Sequence, residues 1–149
     1  EINEYLFLRN LPINKKVSIS QKEIKRLDHY IWWLKSKRDS FVMIIDQKKI
    51  MYLYDETIKI NSKNYSLQGW FAGQNKFGIK EVLTALNWHK KHISKKKDID
   101  LSFGIIKKDN TINFSKYLGW IPIENHSDEF EILKKIIKIN KNCNYYIRK

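Results

Sequence analysis

The apolar and polar positions of this chain predict short strands that alternate with amphipathic helices. Two runs rich in β-branched and aromatic residues, 41–46 and 49–54, are separated by Gln47 and Lys48, which is the spacing of a β-hairpin. Further strands are predicted at residues 65–72, 101–106, 119–123 and 144–148. The strand at 119–123 should lie at a sheet edge or contain a bulge, because its proline has no backbone N–H to donate.

The first quarter of the chain has a helical pattern. Residues 21–35 carry apolar side chains at spacings of three and four, and Ser20 with Glu23 forms a capping box before them. The apolar positions of this predicted helix are Ile24, Leu27, Ile31 and Leu34. Residues 1–10 fit either a short helix or a strand, and residues 11–17 are predicted to be a basic loop.

The stretch 67–88 has the order strand, glycine-containing loop and helix, and the helix should end near His92. The first turn of such a helix has unpaired N–H groups and a partial positive charge, so it can bind a phosphate or diphosphate. The alternative is an ordinary connection between a strand and a helix, without a ligand. The apolar positions that predict this helix are Val82, Leu83, Ala85 and Leu86.

The remaining segments complete a mixed pattern. Residues 55–64 are polar and predict a turn, with additional strand at 57–60 as an alternative. Residues 111–118 predict one or two helical turns, and residues 127–139 a helix for which Ser127 is the candidate N-cap. We therefore expect one domain over residues 1–149, of the α/β class, with helices flanking a largely antiparallel sheet.

The formal charge of +13 suggests a nucleic-acid partner at first sight. Only four of the 29 basic residues are arginine, however, and arginine is the residue that recognises phosphate through two parallel hydrogen bonds. The abundance of lysine, in a chain that is also rich in Ile and Asn, is better explained by AT-rich coding than by selection for phosphate recognition. The sequence therefore argues against nucleic-acid binding, although its positive field would attract an anionic ligand.

Cys143 is the single cysteine, which excludes an internal disulfide and a cysteine-rich metal site within the chain. No segment is long and apolar enough to cross a membrane, and no secretion signal is visible. The expectation from these features is a cytoplasmic protein that does not bind a membrane. The sequence leaves the oligomeric state open.

Four patches have the composition and order of motifs from one known family. They are Leu8-Arg9-Asn10 with Pro12, Ile24 with His29 and Trp32 or Trp33, Gly69-Trp70 with the loop 73–80, and Asp109-Asn110 with residues 116–120. Together they resemble the GCN5-related N-acetyltransferase (GNAT) superfamily, most of all its branch that acetylates small molecules such as nucleotide-linked amino sugars. The resemblance covers roughly residues 5–123 and implies a GNAT-like fold.

The resemblance also implies that acetyl-CoA is the co-substrate and that loop amides hold its diphosphate. In the best register Asn75, Gly78 and Lys80 occupy the three signature positions of that loop, and only Gly78 matches the family pattern. The implied cofactor-binding residues are Trp70, Phe71, Ala72, Asn75, Lys76, Phe77, Gly78, Ile79, Lys80 and Asn110. No metal site is implied.

Three residues are candidates for catalysis. The family's tyrosine, which protonates the leaving thiolate, lies four residues before a glycine; Ser115 has that position here, whereas Tyr117 lies two residues before Gly119. Either Tyr117 serves from a shifted register or the acid is missing. His29 could accept the proton of the amine through water, or it could be a packing histidine beside Trp32 or Trp33.

The leading hypothesis is therefore an acetyl-CoA-dependent N-acetyltransferase that acts on a primary amine of a small molecule. One alternative is a GNAT-like protein that binds a ligand or a partner without catalysis. Another alternative is a basic module that associates with nucleic acid.

Overall fold

The structure is a computed structural model that describes residues 1–74, 78–107 and 116–149. Its helices are α1 (Ile2–Arg9), α2 (Pro12–Val17), α3 (Arg26–Lys35), α4 (Ile79–Ser94) and α5 (Asp128–Ile136). Its strands are β1 (Arg38–Ile45), β2 (Lys48–Ile60), β3 (Lys63–Ala72), β4 (Leu101–Lys107), β5 (Ile121–Pro122) and β6 (Cys143–Arg148). They form one sheet in the order β1-β2-β3-β4-β6-β5.

Neighbouring strands of this sheet are antiparallel except β3 and β4, which are parallel and are connected through α4. A parallel pair needs such a crossover, because the chain must return to the same end of the sheet. The predicted fold class, mixed α/β with a largely antiparallel sheet, is confirmed. The edge position predicted from Pro122 is also confirmed, since β5 is the last strand of the sheet.

Two tight turns set the register of β1, β2 and β3. The hairpin turn after β1 is Asp46-Gln47, one residue earlier than predicted, and the turn after β2 is Asn61-Ser62. All four residues have positive φ, as the favoured two-residue hairpin turns require. The predicted turn over residues 55–64 is wrong, because β2 continues to Ile60 and only the alternative of additional strand at 57–60 was correct.

Two of the predictions for the N-terminal segments are wrong. Residues 1–10 are helical, as one of the two alternatives proposed. The predicted loop over 11–17 is wrong, because Pro12 begins helix α2 at the position where a missing N–H costs nothing. The capping box at Ser20 and Glu23 is wrong as well, since α3 begins only at Arg26.

Helix α3 turns a different face to the sheet than its pattern suggested. Its predicted apolar positions are largely exposed, Leu27 by 70% and Leu34 by 83%. The side chains that pack inward are instead His29, Trp32 and Trp33, which contact the ring of Tyr5. Aromatic stacking on α1 therefore decides the orientation of this helix.

The helices cover both faces of the sheet. Helices α1 and α3 pack on Tyr52 and Phe71. Helix α5 packs on the same face, where Phe130 and Leu133 contact Phe103. The N–H of Phe130 donates to the Ser127 hydroxyl at 3.2 Å, so the predicted cap of this helix is confirmed. Helix α4 covers the opposite face, where its residues Val82 and Ala85 contact Met51 and Leu53 of β2.

Candidate active site

Strands β3 and β4 separate from each other in the middle of the sheet. Their pairing begins at Tyr65–Leu101 and ends at Gln68–Gly104, although β3 continues to Ala72 and β4 to Lys107. Each strand keeps its outer neighbour, since β3 stays paired with β2 and β4 with β6. The result is an opening between the carboxyl-terminal halves of two parallel strands.

The Trp70 N–H faces this opening. The Gly73 N–H donates to the Ile50 carbonyl of β2 at 2.8 Å, so odd-numbered residues at the end of β3 direct their backbone groups to β2. Because backbone groups alternate along a strand, Trp70 and Ala72 direct theirs to the opposite side, beyond the end of the β4 ladder. The Trp70 side chain is 43% exposed.

A side chain from α2 forms hydrogen bonds with the last backbone groups of β3. The Ala72 N–H donates to Asn14 Oδ1 at 2.9 Å, and Asn14 Nδ2 donates to the carbonyls of Ala72 at 2.9 Å and Leu8 at 2.7 Å. Asn14 is 1% exposed. Of the backbone groups predicted at Trp70, Phe71 and Ala72, those of Phe71 face β2 and those of Ala72 are already bonded. Trp70 is therefore the residue that offers an N–H to the opening.

Helix α4 begins beside the chain that leaves β3. Gly78 is its N-cap residue, and Ile79 and Lys80 are exposed in its first turn. The predicted ligands Asn75, Lys76 and Phe77 lie outside the described residues. The Glu81 carboxylate lies against Gly78, because a Cβ atom at Gly78 would collide with it. This carboxylate complements the helix dipole and stands near the position that a diphosphate would take.

The structure describes one of the two residues that the sequence offered as the acid. Tyr117 is in a helical turn, is 69% exposed, and has no hydrogen bond with the described part of the chain. Its alternative, Ser115, and the predicted ligand Asn110 lie outside the described residues. The Tyr117 side chain is open to solvent at this position.

His29 lies in the core. It is 2% exposed, its ring stacks on Tyr5, and its Nε2 is 3.1 Å from the Ile2 carbonyl, to which an Nε2–H donates. Burial lowers the pKa of His29, against the opposite effect of the Ile2 carbonyl, so the ring is neutral near pH 7. These contacts are those of the packing histidine that the sequence offered as the alternative.

Comparisons with known proteins identify the architecture. No family model and no curated protein matches the sequence. Among solved structures, an N-acetyltransferase from Staphylococcus aureus superposes with a TM-score of 0.68 at 9% identity, over 99% of this chain and 92% of that chain. An acetyltransferase of the GNAT family from Streptococcus pneumoniae gives a TM-score of 0.65 at 9% identity, over 98% and 90%. The chain has the GNAT fold.

A further neighbour is a ribosomal alpha-N-protein acetyltransferase in complex with coenzyme A. Its TM-score is 0.64 at 12% identity, over 98% of this chain and 85% of that chain. The GNAT-like fold that the sequence resemblance implied is thereby confirmed. The branch of the superfamily that the sequence suggested stays a prediction.

Beneath α4 the GNAT-fold sheet contains a charged network that the sequence did not reveal. Asp55 is 1% exposed, and its two oxygens lie 3.4 Å from His89 Nε2 and 2.6 Å from Lys96 Nζ. Lys96 also reaches Asp39 at 2.8 Å. Burial acts to raise the pKa of Asp55, but the hydrogen bonds from His89 and Lys96 outweigh it and lower that pKa below its usual value.

The two histidines of α4 both contact residues of the sheet. His89 binds Asp55, and His92 stacks on Trp88 and also contacts the Phe41 ring. Within residues 1–74, 78–107 and 116–149 no cluster of His, Cys, Asp or Glu could hold a metal ion. In the same ranges no helix has the length and apolar character needed to span a bilayer.

Proposed function

We propose that this protein is an acetyl-CoA-dependent N-acetyltransferase that acts on a primary amine of a small molecule, with a nucleotide-linked amino sugar as the substrate class to test first. The observation that carries the proposal is the opening between β3 and β4, into which the Trp70 N–H is directed, in a chain with the GNAT fold. The substrate class rests on the sequence resemblance alone.

In the proposed reaction the lone pair of a neutral amine attacks the thioester carbonyl carbon. The carbonyl oxygen gains negative charge, for which the Trp70 N–H is a fixed donor. The carbon–sulfur bond then breaks, the amine nitrogen loses a proton, and the thiolate gains one. Much of the acceleration comes from holding both substrates in one place, because a well-oriented pair reacts without a strong base.

His29 is buried and its Nε2 is bonded to the Ile2 carbonyl, so the proposal gives it no part in the proton transfer. The proton of the amine would instead leave through water, and Tyr117 would protonate the sulfur. Acetyl-CoA is a strongly anionic ligand, so the formal charge of +13 would favour its approach.

Acetyl-CoA titrated into the protein in a calorimeter should release or take up heat, with a stoichiometry of one per chain. Glu81→Gln should then bind acetyl-CoA about fivefold more tightly, because it removes a carboxylate worth about 1 kcal/mol of repulsion beside the diphosphate. Glu124→Gln, on the loop after β5, makes the same charge change at an exposed position and serves as the matched control.

The absence of any heat or melting shift with acetyl-CoA would rule out the proposed function. Equal gains for the two glutamine variants would mean that net charge, and not the start of α4, sets the affinity. Once binding is shown, a panel of amino-sugar nucleotides, free amino sugars and peptides with free amino termini would identify the acceptor by the appearance of free thiol.

Tyr117→Phe should reduce kcat about 100-fold while acetyl-CoA affinity stays the same, since the variant removes a proton donor and little else. Tyr117 is exposed, so folding should be unaffected, and a melting curve checks this directly. Ser115→Ala is the companion variant for the other candidate position. Full turnover by Tyr117→Phe, with loss in Ser115→Ala, would reverse the assignment.

A further inference from the structure

A cavity lies at the C-terminal end of α4, away from the opening between β3 and β4. It has a volume of ≈ 360 Å³ between the last turns of α4, the start of β4 and the end of β6. Its polar and charged lining includes Lys90, Lys96, Asp100, Ser102 and Arg148. Lys90 is twelve residues beyond Gly78, so a rise of 1.5 Å per residue places it about 18 Å along the helix from the site considered for the diphosphate.

Arg148 contributes a buried cation to this cavity. The residue is 8% exposed, its Nη2 donates to Gln68 Oε1 at 2.9 Å, and its guanidinium lies 4.5 Å from the centre of the Trp120 ring. No carboxylate of the described residues forms an ion pair with it. A guanidinium has five N–H donors, and the bond to Gln68 uses one of them within the described residues. Burial lowers the pKa of Arg148 to about 10, which is the effect of an uncompensated charge.

Two residues of β3 lie beside Arg148 on the same face of the sheet, beneath the cavity lining. Gln68 turns its oxygen to Arg148 and leaves its Nε2 buried, and the Ser66 hydroxyl is buried too; neither atom has a hydrogen bond with the described part of the chain. Ser66 pairs across the sheet with Ser102, which pairs with Arg148. Three adjacent strands therefore bring hydroxyl, amide and guanidinium groups together.

The lysines of the cavity differ in whether a carboxylate forms an ion pair with them. Lys96 is already neutralised by Asp55 and Asp39. Lys90 has no ion pair among the described residues, and its Nζ lies over Gly119, 3.3 Å from where a Cβ atom would stand. The single lining carboxylate, Asp100, accepts the Asn64 N–H at 2.8 Å. Lys90, Arg148 and the exposed Lys149, which also lines the cavity, are thus the cations that an incoming anion would neutralise.

We propose that this cavity binds a phosphate group, as inorganic phosphate or as the phosphate monoester of a small molecule. A phosphate dianion has enough acceptor oxygens to take two parallel bonds from Arg148, one from Lys90, and another from the Ser102 hydroxyl, whose residue also lines the cavity. A monocarboxylate has one charge and two oxygens, and would leave part of this set unpaired. The volume exceeds that of a bare phosphate, so a phosphorylated small molecule fits.

The test is calorimetric titration of the full chain with sodium phosphate and with glucose 6-phosphate, at constant ionic strength. Lys90→Gln should weaken binding about fivefold, the effect of one charge worth about 1 kcal/mol. Lys91→Gln, the exposed neighbour on the same helix, should leave the affinity unchanged. Arg148→Gln should abolish binding; if that variant does not fold, the lysine pair decides.

Absence of binding by either probe would overturn the proposal, and so would equal losses for Lys90→Gln and Lys91→Gln, which would indicate a general positive field. Phosphate binding that vanishes in saturating acetyl-CoA would also overturn it, because the two sites would be one. Tighter binding of glucose 6-phosphate than of phosphate would support a monoester, and equal binding would support free phosphate. Only the competition with acetyl-CoA depends on the proposed function; the titrations with phosphate and glucose 6-phosphate and the lysine variants do not.

Discussion

Asn14→Ala should lower the free energy of unfolding by about 4 kcal/mol, because it leaves three buried backbone groups without partners at roughly 1–3 kcal/mol each. These groups are the N–H and carbonyl of Ala72 and the carbonyl of Leu8. For a chain of this length the loss corresponds to a melting temperature lower by about 10 °C. Denaturant unfolding followed by circular dichroism measures it.

Asn10→Ala is the matched control. Asn10 makes the same pair of side-chain bonds, to the N–H and the carbonyl of Ile24 at 2.9 Å each, but at a partly exposed position. Water can replace the lost amide there, so we expect a cost of about 1 kcal/mol. Similar losses for the two variants would show that burial of the backbone groups at the end of β3 does not set the stability of this region.

Asp55→Asn should lower the free energy of unfolding by about 3 kcal/mol near neutral pH, since it removes the anion of a buried charged pair and leaves the Lys96 cation. Asp39 binds the same ammonium, but its side chain is 60% exposed. Asp39→Asn should therefore cost less than about 1 kcal/mol. A larger loss for Asp39→Asn than for Asp55→Asn would contradict this account.

The same carboxylate gives the stability a predictable pH dependence. The pKa of Asp55 in the folded protein is below its usual value of 3.8, so the folded state binds a proton less readily than the unfolded chain. The stabilisation is therefore complete above pH 3.8 and is lost as the pH falls through the folded pKa. The difference between the wild type and Asp55→Asn should shrink in acid, which unfolding curves recorded above and below that pH would detect.

The hairpins show where sequence reasoning succeeds and where it stops. Runs of β-branched and aromatic residues located β1, the first half of β2 and β3, because many of these side chains pack under the helices on the two faces of the sheet. The second half of β2 was hidden by its polar residues. Beyond Glu56 it pairs only with β3, and its positions alternate between exposed and half-buried. Its true turn, Asn61-Ser62, has no glycine and was indicated only by the tolerance of Asn for positive φ.

Helix α3 shows a second limit. Its pattern correctly indicated a helix, but the aliphatic stripe with Leu27 and Leu34 is exposed and the aromatic stripe is buried. Both stripes repeat with helical spacing, so periodicity alone cannot choose between them. The choice is made by Tyr5 of α1, whose ring contacts His29, Trp32 and Trp33, and this contact joins parts of the chain about 27 residues apart.

The sequence by itself determined the mixed α/β class, the strand–loop–helix order at the proposed acetyl-CoA site, the capped helix α5 and the resemblance to the GNAT superfamily. These follow from local periodicity, capping and motif order, which a single chain displays in one dimension. The tertiary structure alone decided that β3 and β4 separate after Gln68, that Asn14 closes the end of β3, and that Asp55 lies beneath α4. It also brought Arg148 beside Gln68, 80 residues away, because the pairing of β3, β4 and β6 places distant residues on one face of the sheet.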